Sequence, residues 1–280
     1  MRVFELFGVR ISDLSTGELT DLLSGWLSSD SSNTIVTPNP EFVLAARRDP
    51  SFVDLLNRAD LSLPDGVGLR FAIPALTGNR LSNRHTGVDT LLLLAKLCAG
   101  QGKRLVLVGG GPGVAEAAAE SMRRQFAGLD VTVVDVGIVS NEKTHTGSLS
   151  CDRTKLTSFE NADVVAVALG MGKQERFIEA LRSSHDHLAN LPINQPRIYI
   201  GVGGAFDMIA GTKRRAPLFV RRVGLEWVWR LVIEPRRFKR IFNAAIVFPA
   251  VVVWDTLRRH RFVAACRATV PEIINQLKGK

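Results

Sequence analysis

Short apolar, β-branched runs alternate with helical patterns along most of this 280-residue sequence. Parallel strands need long crossover connections, usually helices, so this alternation predicts a mostly parallel sheet with helices on both faces. We therefore predict an α/β fold built on a Rossmann-like, doubly wound sheet. Helical spacing covers 41–59, broken at Pro50, and 89–99. The strand patterns fall at 34–37, 61–63, 104–109, 131–137, 162–170 and 197–203.

Polar or glycine-rich loops follow the predicted strands. In doubly wound sheets, ligands bind outside the carboxyl ends of the strands, where such loops meet. We therefore expect the binding site to be assembled from the loops at 37–39, 64–66, 109–113, 137, 170–174 and 201–207.

The stretch LPDGVGLR, at 63–70, places one acidic residue between a proline and two glycines. Asp-Gly is a common turn dipeptide, so one interpretation is a tight turn between two apolar runs. The other interpretation is that Pro64 and Gly66 hold the Asp65 carboxylate out of the turn as a catalytic group. The residues alone leave both interpretations open.

The sequence lacks the complete motifs of several common enzyme classes. The glycine loop at 109–114 fits the dinucleotide fingerprint only in part, because its sixth position is Val114. A tight strand-to-helix turn is the alternative, with Asp135 as a candidate ribose contact. The sequence has no GxSxG, P-loop or DxD motif. His185 and His187 fit a solvated loop better than a metal site, because no third ligand has a plausible spacing.

The cysteines and the amino-terminal residues indicate a cytoplasmic protein. Cys98, Cys151 and Cys266 lie far apart with no CxxC motif. They predict neither a disulfide framework nor a zinc site, which fits a reducing compartment. The first residues lack the apolar stretch of a signal peptide, so none is expected.

Positive charge is concentrated near the carboxyl terminus. Residues 212–280 contain 16 Lys and Arg against 4 Asp and Glu, whereas the other 211 residues contain 20 against 23. A basic segment on a nearly neutral body favours a polyanionic partner, either nucleic acid or a phospholipid surface. We therefore predict two parts: an α/β core at 1–211 and a basic helical appendage at 212–280.

The tryptophans of this appendage favour a membrane over nucleic acid. Trp227, Trp229 and Trp254 have Arg or Lys on their flanks, which is typical of an element lying in the membrane interface. The longest uncharged run, 241–254, is 14 residues and short of the roughly 20 needed to span a bilayer. The alternative is a buried amphipathic helix pair with a basic outer face. Aromatic stacking on RNA favours a different pattern, so no nucleic-acid partner is predicted.

Seven motifs, in order, resemble those of the WecG/TagA/CpsF glycosyltransferase family. The resemblance covers about 30–242 and implies transfer of a sugar from a UDP-sugar donor, with inversion, to an undecaprenyl-diphosphate-linked sugar in cell-surface polysaccharide synthesis. It also implies a peripheral enzyme on the cytoplasmic face of the inner membrane that needs no metal or other cofactor. The motifs are TPNPEFVLAA, ADLSLPDGVGL, RHTGVD, VGGGPGVAE, ALGMGKQE, GVGGAFDMIAGTKRRAP and GLEWVWRLVIEPRRFKR.

The resemblance also implies roles for individual residues. Asp65 matches the proposed general base, and Thr37 and Asn39 match the polar pair beside it. Arg84 and Gln174 match further substrate-binding residues, and Asp207 matches a position near the uracil. Gly137 stands where many members have Gly-Tyr-Phe, so a uracil contact there is expected to be aliphatic. Gly172 replaces a proline common before the KQE motif, which loosens that loop.

Three arginines of the appendage match basic residues that close over the site. Arg230, Arg237 and Arg240 would lie on one face of a continuous helix, although Glu234-Pro235 is expected to bend it. Without a DxD-bound cation, arginines must balance the charge of the departing diphosphate. Asn39 as a local helix cap and Arg84 as a surface charge remain the plainer alternatives.

Two rival functions are compatible with the residues alone. One is an NAD(P)-dependent oxidoreductase with a basic anchoring tail, and the other is a non-catalytic nucleotide-binding scaffold on the membrane. The transferred sugar is left open, and so is a homo-oligomer formed through the apolar surface of the tail.

Overall fold

A six-stranded parallel sheet forms the centre of the protein, seen here in a computed structural model. The structure describes residues 1–136, 159, 161–187, 196–212, 216–217, 220, 226–233 and 238–277. The sheet order is β4-β3-β8-β7-β5-β6, and each neighbouring pair is parallel. The predicted fold class is confirmed. The strands are β1 (Arg2–Leu6), β2 (Val9–Asp13), β3 (Asn33–Val36), β4 (Leu61–Ser62), β5 (Arg104–Gly109), β6 (Asp130–Val134), β7 (Val164–Ala168) and β8 (Ile198–Gly201).

Side chains alternate between the two faces of this sheet. In β5, Leu105 and Leu107 join the core on one face, and Val106 and Val108 join the core on the other. Both faces are apolar because helices cover both, as expected for parallel strands. One face packs against α1 (Thr16–Ser28), α5 (Gly87–Gln101), α6 (Val114–Gln125) and α8 (Ala205–Ile209); the other carries α2 (Pro40–Ala46), α3 (Pro50–Asn57), α4 (Val67–Thr77) and α7 (Lys173–His187).

The helical pattern at 41–59 is two helices, as the proline predicts. Asn39 caps α2 and Asp49 caps α3, and each cap is followed by proline at the first helical position. A proline there loses no intrahelical hydrogen bond, and its fixed φ favours the first turn. Pro50 therefore favours the start of α3, four residues after α2 ends at Ala46.

The first three elements of the chain were not predicted from the sequence. Strands β1 and β2 form an antiparallel hairpin outside the main sheet. Its turn has positive φ at Phe7 (50°) and Gly8 (86°), the combination that two-residue hairpins favour. Helix α1 begins at a capping box in which Ser15 and Glu18 bond each other's backbone N–H groups. The S-x-x-E spacing was the available signal.

The described carboxyl-terminal residues form a series of helices, the last two of which pack on the α/β core. They are α9 (Glu226–Ile233), α10 (Phe238–Phe242), a π-helical turn (Asn243–Val247), α11 (Phe248–Arg258) and α12 (Phe262–Leu277). Phe248 and Val252 of α11 are buried in the same apolar cluster as α2, α3, α4 and the hairpin. These helices are thus partly buried against the core, as the alternative of a buried amphipathic helix pair predicts. The domain division at 211 stays a prediction.

The helical segment Phe238–Arg258 is longer than the uncharged run within it. It spans 21 residues, and an 18-residue window within it has a mean hydropathy of 1.4. Within the described part of the chain it alone is long and apolar enough to cross a bilayer. Because Phe248 and Val252 are buried against the core, one side of the helix already has protein neighbours.

Helix α12 is fixed to α4 by a buried carboxylate. Glu272 bonds Arg70 (Oε2 to Nε, 3.1 Å) and pairs with Arg80 (Oε1 to Nε, 3.3 Å), and its own side chain is 5% exposed. Gln276, one turn later, accepts a further hydrogen bond from Arg70 Nη1 at 3.1 Å. The last described helix is therefore held on the helix that begins two residues after Asp65.

Replacing Glu272 by Gln is expected to lower the free energy of unfolding by about 1–3 kcal/mol, because charge-assisted bonds to two guanidinium groups are lost from a buried site. Urea unfolding followed by circular dichroism measures the loss. Glu116→Gln, on the exposed face of α6, is the matched control. Equal effects of the two substitutions would contradict the anchoring role of Glu272.

Candidate active site

Five of the loops that were expected to form the site lie at one edge of the sheet: 37–39, 64–66, 109–113, 170–174 and 201–207. All six strands are parallel, so their carboxyl ends share that edge. Helix α5 begins at the same edge, with its first residue, Gly87, packed against two of these loops. A Cβ on Gly87 would lie 3.6 Å from Thr37 Oγ1 and 3.3 Å from the Val202 carbonyl oxygen. The structure thus places the following expected residues on loops or helix starts at this edge: Thr37, Asn39, Asp65, Arg84, Gln174 and Asp207.

The Asp65 turn lies directly on the loop after β3. The Asp65 backbone N–H donates to the Pro38 carbonyl oxygen at 2.9 Å. Gly66 has a φ of 89°, and a Cβ there would lie 3.3 Å from Pro40 Cδ and 3.9 Å from Asn39 Cβ. A glycine is therefore required at 66 for conformation and for space. Asp65 itself is half-buried in this turn.

Asn39 and Thr37 both have structural partners. Asn39 Oδ1 accepts hydrogen bonds from the N–H groups of Glu41 (2.9 Å) and Phe42 (3.2 Å), which makes it the cap of α2. The cap proposed as the plainer alternative is confirmed. Thr37 Oγ1 is buried and donates to the Gly201 carbonyl oxygen at 2.9 Å. This bond joins the end of β3 to the end of β8.

Gln174 and its neighbour Glu175 are buried at the start of α7. Their relative exposures are 1% and 3%. Gln174 Oε1 accepts from the Gly203 N–H at 3.0 Å, and its Nε2 donates to Glu175 Oε1 at 2.7 Å. Glu175 Oε2 accepts from the Gly172 N–H at 2.6 Å. The pair therefore connects the loops that follow β7 and β8.

Burial raises the pKa of the Glu175 carboxyl to about 7, although hydrogen bonds from Gln174 and Gly172 act to lower it. A site role was predicted from the sequence for Gln174, but none for Glu175. The only local signal was an acidic residue in the first turn of a helix, which is common at helix starts for electrostatic reasons alone. Its depth of burial depends on loops distant in sequence.

Arg84 and Asp207 flank the site from two other elements. Arg84 is half-buried on the loop before α5, and the next residue, His85, is fixed by a bond between its Nε2 and the Leu14 carbonyl oxygen at 2.9 Å. Asp207 lies in α8, whose Phe206 ring is 3.4 Å from the position of a Cβ on Gly110. The helix that carries Asp207 therefore packs beside the glycine loop.

The glycine loop after β5 is a close-packed turn. Gly109 and Gly110 have φ values of 84° and 89°, and the Gly110 N–H donates to the Ala168 carbonyl oxygen at 3.0 Å. A Cβ on Gly109 would lie 2.7 Å from Leu169 Cδ2. These glycines are needed for backbone conformation and packing between β5 and β7, as the tight-turn interpretation predicts.

Arg240 brings the carboxyl-terminal helices to the rim of the site. Its guanidinium pairs with Glu41 (Nη2 to Oε2, 2.8 Å) at the start of α2, two residues after Asn39. Arg230 lies on α9 with a side chain outside the described atoms, and Arg237 and Gly137 lie outside the described residues. The shared face of the three arginines therefore stays a prediction.

Within the described residues, no group of three His, Cys, Asp or Glu side chains is arranged to hold a metal ion. The expectation of a metal-independent, cofactor-free site stays a prediction.

Residues 4–262 match the glycosyl transferase family WecG/TagA/CpsF. This is nearly the whole chain. The chain belongs to the WecG/TagA/CpsF glycosyltransferase family. The resemblance and the expected enzyme class are confirmed, and the match is wider than the 30–242 recognised from motifs. It includes most of the amino-terminal hairpin and all of α11, and it ends where α12 begins.

Bacterial proteins are similar to this glycosyltransferase over three-quarters or more of their length. Three relatives carry the same description, N-acetylglucosaminyldiphosphoundecaprenol N-acetyl-beta-D-mannosaminyltransferase. The Bacillus subtilis protein is 32% identical over 212 residues, 75% of each chain. The Bacillus spizizenii protein is 30% identical over 86% of this chain and 88% of its own, and the Staphylococcus aureus protein is 25% identical over 86% and 89%.

The stability of this glycosyltransferase is expected to carry a pH-dependent contribution from Glu175. Its folded-state pKa of about 7 lies above the usual value, so the folded protein holds this proton more tightly than the unfolded chain. The contribution favours folding at low pH and declines as the pH rises towards 7, by at most about 1.4 kcal/mol per pH unit.

Glu175→Gln is expected to lack this decline. The unfolding free energy of wild type minus that of the variant should therefore fall from pH 5 to pH 7, as measured by urea unfolding at each pH. Glu116→Gln is the control and should run parallel to wild type. A constant difference for Glu175→Gln would show that the carboxyl does not titrate in this range.

Proposed function

We propose that this protein transfers N-acetylmannosamine from a UDP-sugar, with inversion, to N-acetylglucosamine on undecaprenyl diphosphate. The observation that carries the proposal is the shared description of relatives at 30–32% identity across at least three-quarters of both chains. Cell-surface polymer synthesis is the corresponding process. The proposal narrows the sugar that the sequence alone left open.

Asp65 is proposed as the general base. It accepts the proton of the acceptor hydroxyl while that oxygen bonds the anomeric carbon, and the bond from that carbon to the UDP oxygen breaks on the opposite face. The proton ends on the carboxylate and the electron pair leaves with UDP, so the configuration at the anomeric carbon inverts. Base catalysis of this kind contributes roughly 10²–10⁴-fold to the rate.

Cationic side chains are proposed to stabilise the departing diphosphate, in place of a metal ion. Arg84 is half-buried next to the segment that contacts Thr37, and Arg240 lies at the rim of the site through its pairing with Glu41. Arg230 and Arg237 are proposed to act with them. Cations fixed where charge develops stabilise the transition state without reorganisation.

The outer surface of the carboxyl-terminal helices is proposed to dock on an anionic membrane, as a peripheral contact on the cytoplasmic face. Basic side chains border this surface at Arg258, Arg259, Arg261 and Arg267. Apolar side chains and neighbouring cations together favour an interfacial position. The exposed apolar residues of these helices include Phe238, Phe242, Ile246, Val253, Trp254, Leu257, Phe262 and Val263.

Asp65→Asn is expected to lower kcat by at least ~10²-fold, with the affinity for UDP retained, because only proton transfer is removed. Product formation from UDP-N-acetylmannosamine and a short-chain polyprenyl-diphosphate N-acetylglucosamine measures turnover, and UDP-induced thermal stabilisation measures binding. Asp54→Asn, on the exposed face of α3, is the control. Unchanged turnover would remove Asp65 from the mechanism.

The same assay tests the sugar. UDP-N-acetylglucosamine and UDP-glucose are expected to give little product beside UDP-N-acetylmannosamine. Preferential turnover of either alternative donor would overturn the proposed specificity while leaving the family assignment intact.

Trp254→Asp and Val263→Asp are expected to weaken binding to vesicles containing phosphatidylglycerol by at least ~10-fold, because each places a carboxylate in the membrane-facing surface. These side chains are 67% and 64% exposed, so folding should be unaffected. Val3→Asp, at a valine 52% exposed on the hairpin, is the matched control. Vesicle sedimentation measures binding, and full retention by the first two variants would refute this docking surface.

A further inference from the structure

Gln174 and Glu175 form a hydrogen-bonded pair whose polarity is set by the backbone around it. The Gly203 and Gly172 N–H groups can only donate. The Gly203 bond requires the oxygen of Gln174, which leaves the Gln174 NH₂ group to donate to Glu175. In its charged form Glu175 then accepts on both oxygens, because Gly172 donates to the second. An amide followed by a carboxylate satisfies all three contacts.

The pair has no room to move outwards. A Cβ on Gly201 would lie 2.6 Å from Gln174 Nε2 and 3.0 Å from its Cδ, so the Gln174 side chain fills the space beside β8 that a larger residue would need. The Gly201 carbonyl oxygen accepts the Thr37 hydroxyl. One connected network thus spans the loops of β7, β8 and β3, and both side chains are almost fully buried within it.

We infer that Gln174 and Glu175 act as one positioning pair, which fixes the loops after β7 and β8 at the active site without touching the substrate. The inference rests on the proposed function, because the loops matter through the transfer reaction they support. It assigns a role to Glu175 and replaces the substrate contact expected of Gln174.

The free-energy cost of burying the Glu175 carboxylate supports a positioning role for it. Burial disfavours the charged form, which is why its pKa lies near 7. A buried carboxylate is destabilising unless hydrogen bonds compensate it, and an apolar residue would avoid the cost. Only a group with two acceptor oxygens meets the donors of both Gly172 and Gln174, so the carboxylate is explained by the positions of the loops.

Exchanging the two residues tests the inference directly. Glu175→Gln keeps the shape of the side chain but sets an NH₂ group against a donor, and Gln174→Glu sets two carboxyl groups against each other. Each single variant is expected to lower kcat by ~10-fold or more. The double variant Gln174→Glu/Glu175→Gln again accepts from Gly203 at position 174 and from Gly172 at position 175, with one amide donor between them. It is expected to recover activity to within ~3-fold of wild type.

Hydrogen–deuterium exchange supplies a readout that does not depend on the substrate. The Gly172 and Gly203 amides are expected to exchange slowly in wild type and in the double variant, and at least ~10-fold faster in either single variant. Gly201→Ala, which pushes against the Gln174 amide, should accelerate both. Because exchange needs no sugar, a wrong donor or acceptor would abolish the activity signal in wild type but leave the exchange pattern unchanged.

Two results would overturn the inference. A double variant as inactive as Gln174→Glu, with slow exchange restored, would show that the Gln174 amide itself contacts substrate. Single variants with wild-type exchange and turnover would show that the pair positions nothing.

Discussion

Parallel strand pairing is the constraint from which the site follows. Six strands that run in one direction end at one edge, so loops far apart in sequence become neighbours there. The backbone of β8 is central to this edge, since Gly201 accepts the Thr37 hydroxyl and Gly203 donates to Gln174. The loops are thereby fixed to one another before any ligand binds, which is the preorganisation that sugar transfer requires.

The sequence pattern predicted several elements whose structure is determined by residues close together in the chain. Alternating strands and helices predicted the sheet, and Pro50 divided α2 from α3 because a proline favours a first helical turn. The Asp65 turn was located from Pro and Gly alone. The hairpin and α1 were missed although their turn and capping signals stood in the sequence. Helix α4 was not predicted, because an Asp-Gly turn and an internal proline are both unfavourable in a helix.

Features that depend on distant contacts could not be predicted. Thr37 and Gly201 are 164 positions apart, and nothing near either residue specifies their bond. Glu175 resembled an ordinary helix-start acid until the loops around it showed its burial. Charge counting found the basic appendage, but not that Phe248 and Val252 join the core or that Glu272 anchors α12. Such burial follows from the assembled surfaces, not from local composition.

The place of β8 in the sheet also bears on biosynthesis. β8 is the last strand of the six-stranded sheet to leave the ribosome, yet it pairs with β3 on one side and β7 on the other. Until it emerges, the nascent chain holds β3 and β4 apart from β5, β6 and β7, with an unpaired edge on each half. Open strand edges promote aggregation, and long-range parallel pairing is slow. A ribosome stalled before residue 198 therefore carries a chain that has neither a closed sheet nor the loop that completes the site.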